Sequence, residues 1–258
     1  MAQARGVSVL AADDLHRSFA GIAAVRGVSF AVASGEMLAL IGPNGAGKST
    51  CFNMLSGQLR PDAGRVSLDG RDITGLAPRR IWRMGVGRTF QITATFASMT
   101  VRENVQMALL SHRRDIWRFW CAARLRHVAD ADALLGPLGL GAHADVAAGV
   151  LAYGDLKRLE LAMALANAPR LLLMDEPTAG MAPAERTALM RLTRELAIAR
   201  GIAVLFTEHD MDIVFSVADR ILVLHQGALI AAGDGAAIRA DARVREVYLG
   251  SGATSGGH

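Results

Sequence analysis

Residues 37–50 read MLALIGPNGAGKST, and few stretches restrict a fold more tightly. Five apolar residues, Met37 to Ile41, suit a strand buried on both faces. Residues 48–57 read as a helix that stops at Gly57. Between them lies a loop with the spacing G-x-x-x-x-G-K-[ST], met by Gly42, Gly47, Lys48 and Ser49. Glycines let backbone N–H groups crowd a polyphosphate without Cβ clashes. The helix N-terminus turns its positive end to the same anion. Lys48 is placed to reach the β- and γ-phosphates, and the Ser49 hydroxyl suits Mg²⁺. A plain strand-to-helix turn would account for the glycines, but not for Lys48 and Ser49 at fixed places. The loop therefore spans Gly42, Pro43, Asn44, Gly45, Ala46, Gly47, Lys48, Ser49 and Thr50 as a candidate polyphosphate cradle.

The second strong stretch is Leu171-Leu172-Leu173-Met174-Asp175-Glu176-Pro177. Its apolar part suits a buried parallel strand, and ligands bind at the carboxyl ends of such strands. Asp175 is placed to hold Mg²⁺ and Glu176 to polarise an attacking water. Taken alone, the stretch serves equally as an ordinary strand running into a helix N-cap. Beside the phosphate loop, the acidic reading prevails.

The rest of the composition narrows the class. A chain of 258 residues is long enough for one large α/β domain, and 52% hydrophobic residues supply its core. The net charge of +4 is small and its basic residues are scattered, which argues against a nucleic-acid binder. MAQARGVSVL has no apolar signal-peptide core, and no apolar run approaches the roughly 20 residues that span a bilayer. Cys51 and Cys121 make no framework or metal pattern; they fit a reducing cytoplasm as small packed hydrophobes.

Between the two motifs, LAYGDLKRLELAMALA at 151–166 brings in a resemblance. Over nearly its whole length the chain resembles the ATP-binding cassette (ABC) ATPases. Their signature, typically Leu-Ser-Gly-Gly-Gln, corresponds here to Leu151, Ala152, Tyr153, Gly154 and Asp155 and acts in trans on a facing subunit. The resemblance implies that Gln91, in GRTFQ, senses Mg²⁺ and the attacking water, and that His209, in LFTEHD, contacts the γ-phosphate. It also implies that Phe19 stacks on adenine. Each has a bland counterpart: a polar loop residue, a cap or surface histidine, and a core aromatic. The order and spacing around the two strong motifs favour the functional reading for Gln91 and His209. Glu176 would then be the general base for in-line attack by water. Lys48, Mg²⁺ and His209 would stabilise the developing charge.

GRTFQ with FASMTVRENV, the AYG form of the signature, EPTAGMAP with TEHDMDIVFSVADRILVL, and the ending VREVYLG are similar to ATPases of branched-chain amino-acid importers. Importers for urea and short amides share these features. The resemblance implies ATP and Mg²⁺ as ligands and the cytoplasmic face of the inner membrane as location. It further implies permease subunits, a second ATPase subunit and, indirectly, a periplasmic solute-binding protein as partners.

Two departures stand out. Ala152 replaces a serine whose hydroxyl normally meets the γ-phosphate opposite, while Asp155 replaces glutamine and could cap the helix starting there. Ala182 stands where an aspartate usually couples the two sites. An incomplete signature beside a complete phosphate loop points to a different ABC chain as the natural partner.

The expected fold is α/β, a P-loop NTPase. Residues 7–35 give short strands of an antiparallel N-terminal β layer. A mostly parallel, RecA-like core sheet carries the motifs. An α-helical subdomain is inserted at about 92–154, with helices at 101–111, 115–135 and 143–149. Residues 234–250 read as helical. One ABC ATPase domain thus covers 1–250, with a disordered tail at 251–258. Trp117 and Trp120, in DIWRFWCAARLR, are either core of that subdomain or a docking face for a membrane subunit. Two other classes are weighed. A soluble ABC ATPase acting on a macromolecular complex would often carry fused cassettes or long arms. A small-molecule kinase or GTPase would leave the signature unexplained.

Overall fold

The computed structural model of the chain describes residues 8–89, 95–113 and 127–250. Gln91, Cys121, Trp117, Trp120 and the tail 251–258 lie outside the described residues.

Strands β1 (Ser8–Phe19) and β2 (Ile22–Ala33) form an antiparallel hairpin of two 12-residue strands, longer than the alternation suggested. Ala20 and Gly21 both have positive φ, as a two-residue turn matching strand twist requires. β4 (Ala63–Leu68) pairs with β1, and β5 (Arg71–Asp72) with β4, giving the order β2-β1-β4-β5.

The second sheet has the order β10-β9-β3-β8-β7-β6. Its strands are β3 (Met37–Ile41), β6 (Val86–Thr89), β7 (Leu171–Asp175), β8 (Ala203–Thr207), β9 (Arg220–His225) and β10 (Ala228–Gly233). β10 runs antiparallel to β9; the other pairs are parallel. Every residue of β3, β7 and β8 is buried, as a strand covered on both faces must be.

Along β3 the side chains alternate between two cores. Leu38 and Leu40 join the first, with Val28 of β2 and Phe52 and Leu55 of α1 (Lys48–Leu55). Met37, Ala39 and Ile41 join the second. This second core draws on α3 (Val101–Arg113), α4 (Val128–Leu135), α5 (Tyr153–Leu165), α6 (Pro183–Arg200) and α7 (Met211–Val217). The N-terminal layer and α1 thus cover one face of the sheet, and the later helices cover the other. α2 (Pro78–Arg83) precedes β6, while α8 (Gly235–Ala240) and α9 (Ala242–Gly250) end the described chain. No helix among the described residues is long and apolar enough to cross a membrane.

Several expectations are corrected. The helix expected at 143–149 is instead two 3₁₀ turns, Gly141–His143 and Ala148–Val150. The carbonyls of Val146 and Ala144 accept from the N–H groups of Val101 and Arg102, so this segment caps α3. Asp155 is not the cap of α5. The helix begins two residues earlier with Ala152 as N-cap, so Asp155 sits in the first turn, 3.6 Å from Arg158. Residues 234–250 divide at Asp241, whose Oδ1 accepts from the Arg243 and Val244 N–H groups and starts a second helix.

Candidate active site

β3 delivers its loop between β9 and β2. A Cβ on Gly47 (φ 106) would lie 2.4 Å from the Ala24 carbonyl oxygen, and one on Gly42 2.1 Å from that of Leu224. No side chain fits at either place. The loop is held from outside by Gly227 N–H donating to the Ala46 carbonyl at 2.9 Å. Ser49 and Thr50 open α1, with Ser49 exposed.

Lys48 is buried, and its ammonium donates to the carbonyls of Gly42 (2.6 Å) and Pro43 (3.1 Å). Burial pulls its pKa down, while the charges of Glu176 and Asp175 oppose that pull. A buried ammonium held by loop carbonyls is poised to accept an anion. From α9, Tyr248 meets the backbone N–H of Gly42; burial pushes the phenol up to about 12 against that bond.

The acidic end is assembled by the exits of β7 and β8. Thr207 Oγ1 donates to Asp175 Oδ1 at 2.8 Å and accepts from Glu176 N–H at 3.0 Å. Glu176 has φ 49, a left-handed backbone, and its Oε1 lies 2.8 Å from His209 Nε2. Glu208 is buried. One of its oxygens accepts from the N–H (3.0 Å) and hydroxyl (2.6 Å) of Thr178, and the other from His209 N–H (3.3 Å). Burial, reinforced by the Glu176 charge, raises its pKa against these three bonds. Arg88 of β6 stands 3.8 Å from Asp175 Oδ2 and donates to Asn53 and Ser56 of the α1 segment, tying loop helix to acid strand.

The structure thus brings Lys48, Asp175, Glu176 and His209 into one constellation. Phe19 ends β1 with 46% of its surface exposed, so it is not a core aromatic; the Arg17 guanidinium lies 5.0 Å from its ring centroid. In the signature, Leu151 packs against the helical core while Ala152 and Tyr153 face outward. The Tyr153 hydroxyl donates to the Ala179 carbonyl at 3.0 Å, and the Glu185 carboxylate closes on Gly154. The signature therefore braces the segment that follows Glu176. Ala182 is the exposed N-cap of α6. Arg88, Thr178, Thr207 and Glu208 were not singled out from sequence. Their signals were slight: an arginine in GRTFQ and two polar residues closing an apolar strand.

These residues fit a magnesium nucleotide. The two glycines admit no Cβ, Lys48 has no carboxylate in bonding contact among the described residues, and Ser49 and Asp175 offer the hard oxygen donors that Mg²⁺ prefers. No cluster of three or more His, Cys, Asp or Glu suited to a metal occurs among the described residues. Mg²⁺ needs none, since it is commonly held by one or two protein groups plus phosphates.

Residues 25–179 match the ABC transporter family, and the chain belongs to it: an ATP-binding, ATP-hydrolysing cassette. Residues 228–254, which contain β10, α8 and α9, match a second family described as branched-chain amino acid ATP-binding cassette transporter. The chain is 39% identical to the high-affinity branched-chain amino acid transport ATP-binding protein BraF of Pseudomonas aeruginosa, over 94% of this chain and 98% of that one. It is 39% identical, with the same coverage, to LivG of Salmonella typhimurium, which carries the same description. The lipopolysaccharide export system ATP-binding protein LptB of Acidithiobacillus ferridurans is also 39% identical, over 94% and 97%. An ATP-binding cassette of an ABC transporter, solved in its ADP conformation, superposes with a TM-score of 0.85 at 34% identity, covering 94% of this chain and 99% of that one.

Proposed function

We propose that this chain is the ATP-hydrolysing subunit of an importer for branched-chain amino acids. It works on the cytoplasmic face of the inner membrane with permease subunits, a second ATPase subunit and a periplasmic solute-binding protein. The match of residues 228–254 supports the solute class; the export relative matches equally in identity, so that C-terminal segment favours import. Urea or short amides are the neighbouring solutes the test must separate. One ABC ATPase domain covers 1–250, with the helical subdomain at about 92–154.

The observation that carries the chemistry is the Glu176–His209 contact of 2.8 Å beside buried Lys48. The loop from Gly42 to Thr50 binds the phosphates of ATP, and Phe19 stacks on adenine. Ser49, Asp175 and Gln91 would hold Mg²⁺, which when bound supplies Lewis-acid neutralisation of phosphate charge. Glu176 accepts the proton of the attacking water, and His209 orients Glu176 and contacts the γ-phosphate. Leu151 to Asp155 complete the opposite subunit's site.

Glu176→Gln should retain ATP binding and lose turnover by about a hundredfold or more, since a general base contributes roughly 10²–10⁴. Lys48→Ala should weaken ATP binding itself. Wild-type turnover by Glu176→Gln in the assembled complex refutes the base assignment. Uptake of labelled leucine, isoleucine and valine should fail in cells lacking this chain; intact uptake of all three with lost urea uptake refutes the solute.

A further inference from the structure

We infer that Glu208 is a positioning residue for hydrolysis: its buried carboxylate holds Glu176 in a left-handed backbone and fixes the Glu176–His209 contact. The inference deepens the proposed function and rests on Glu176 as general base.

Glu176 carries a Cβ at φ 49. That conformation is disfavoured for such residues and persists only where the surroundings over-determine it. Two anchors do so. Thr207 Oγ1 takes the Glu176 N–H on one side. Residue 177 is proline and has no N–H, so Thr178 is the first donor beyond Glu176. Both of its donors, N–H and hydroxyl, go to one oxygen of Glu208 at 3.0 and 2.6 Å. The other oxygen takes the His209 N–H at 3.3 Å. A single carboxylate therefore grips the backbones on which both members of the Glu176–His209 pair are mounted. Thr178 is 1% and Glu208 6% exposed, so water does not compete for these bonds. Burying an acid beside the charge of Glu176 is unfavourable, as its raised pKa records, and only the set of three donors offsets it. An amide in its place would turn an NH₂ toward at least one of those donors.

A role confined to folding would lower stability and ATP affinity together with turnover. A positioning role would lower turnover and leave ATP affinity unchanged. The experiment measures ATP turnover, fluorescent-nucleotide affinity and melting temperature on the transporter complex purified through this chain. Glu208→Gln and Thr178→Val should each cut kcat about tenfold or more, with ATP Kd within about threefold of wild type. Thr178→Ser, which keeps the hydroxyl, should retain activity. The double variant Glu208→Gln/Thr178→Val should lose less than the product of the two single losses, because both act on the same Thr178–Glu208 link. Near-wild-type kcat for Glu208→Gln overturns the inference, as does a loss of kcat matched by losses in affinity and melting temperature. Should Glu208→Gln fail to fold, the contrast between Thr178→Val and Thr178→Ser decides: equal kcat in the two overturns it. Glu176→Gln is run alongside. If it turns over normally, the base assignment itself fails. If it is inactive while Glu208→Gln is normal, only the positioning role fails.

Discussion

Cys51 lies one turn from Lys48 on α1, and burial pushes its thiol up to about 12. The thiolate is the reactive form, so this cysteine should be inert in the folded protein. Iodoacetamide at pH 8 should leave the Cys51 peptide unmodified until denaturant is added; native labelling seen by mass spectrometry would contradict its burial. The sign of the linkage is fixed: a folded pKa above the ordinary 9.0 gives stability complete below that pH and lost as pH rises toward 12. At this same scale the sequence was uneven in what it disclosed. Lys48, Ser49, Asp175 and Glu176 stand out in the sequence by their offsets from a glycine loop or a strand end, and His209 by the family resemblance; the fold brings Lys48, Asp175, Glu176 and His209 together. Thr207 and Glu208 do not stand out, because their partners lie just beyond the end of β7, about thirty residues away, and no spacing encodes that pairing.

Among the elements, α3 runs from Val101 to Arg113 against an expected 101–111, and it carries its own start signal. Thr100 Oγ1 accepts from Glu103 N–H, and Glu103 Oε2 accepts from Thr100 N–H, a reciprocal cap. Residues 140–150 misled because Leu140, Ala144 and Ala148 are buried at a spacing of four, as on a helix. Besides its 3₁₀ bonds the segment bonds outward to residues 97–102, which local periodicity does not reveal. In α5 an ion pair joins Lys157 and Glu160 at 3.1 Å with side chains only 5% and 8% exposed, and Glu160 Oε1 has no partner among the described residues. Removing one partner strands a buried charge. Lys157→Ala should cost about 3–5 kcal/mol, while Lys157→Met with Glu160→Leu should recover most of it. Urea unfolding measures both; equal stability of the single and double variants would refute the pairing.

For the whole molecule, a chain with a complete phosphate loop and Ala152 in its signature should form two unequal sites with a different partner chain. The site built on this chain's Lys48 should be the stronger one. In the reconstituted importer, Glu176→Gln here should cost more than the matching change in the partner, and Ala152→Ser should raise or preserve turnover. Equal losses, or full function with no second ATPase present, would refute the asymmetry. The strand order β10-β9-β3-β8-β7-β6 has one more consequence. β3, which leads into the phosphate loop, is flanked by β8 and β9, whose residues come from 203–225. During synthesis its five apolar residues leave the ribosome with both edges bare, and they stay so until more than 160 further residues have been translated. The hairpin β1–β2 and β4 close early by comparison. A nascent chain stopped at residue 200 would carry the phosphate loop, the signature and both acids, yet have no strand for β3 to pair with. It should pellet when released and bind no ATP, whereas release after residue 250 should yield soluble protein. For much of its translation the chain therefore exposes bare strand edges of the kind that chaperones shield.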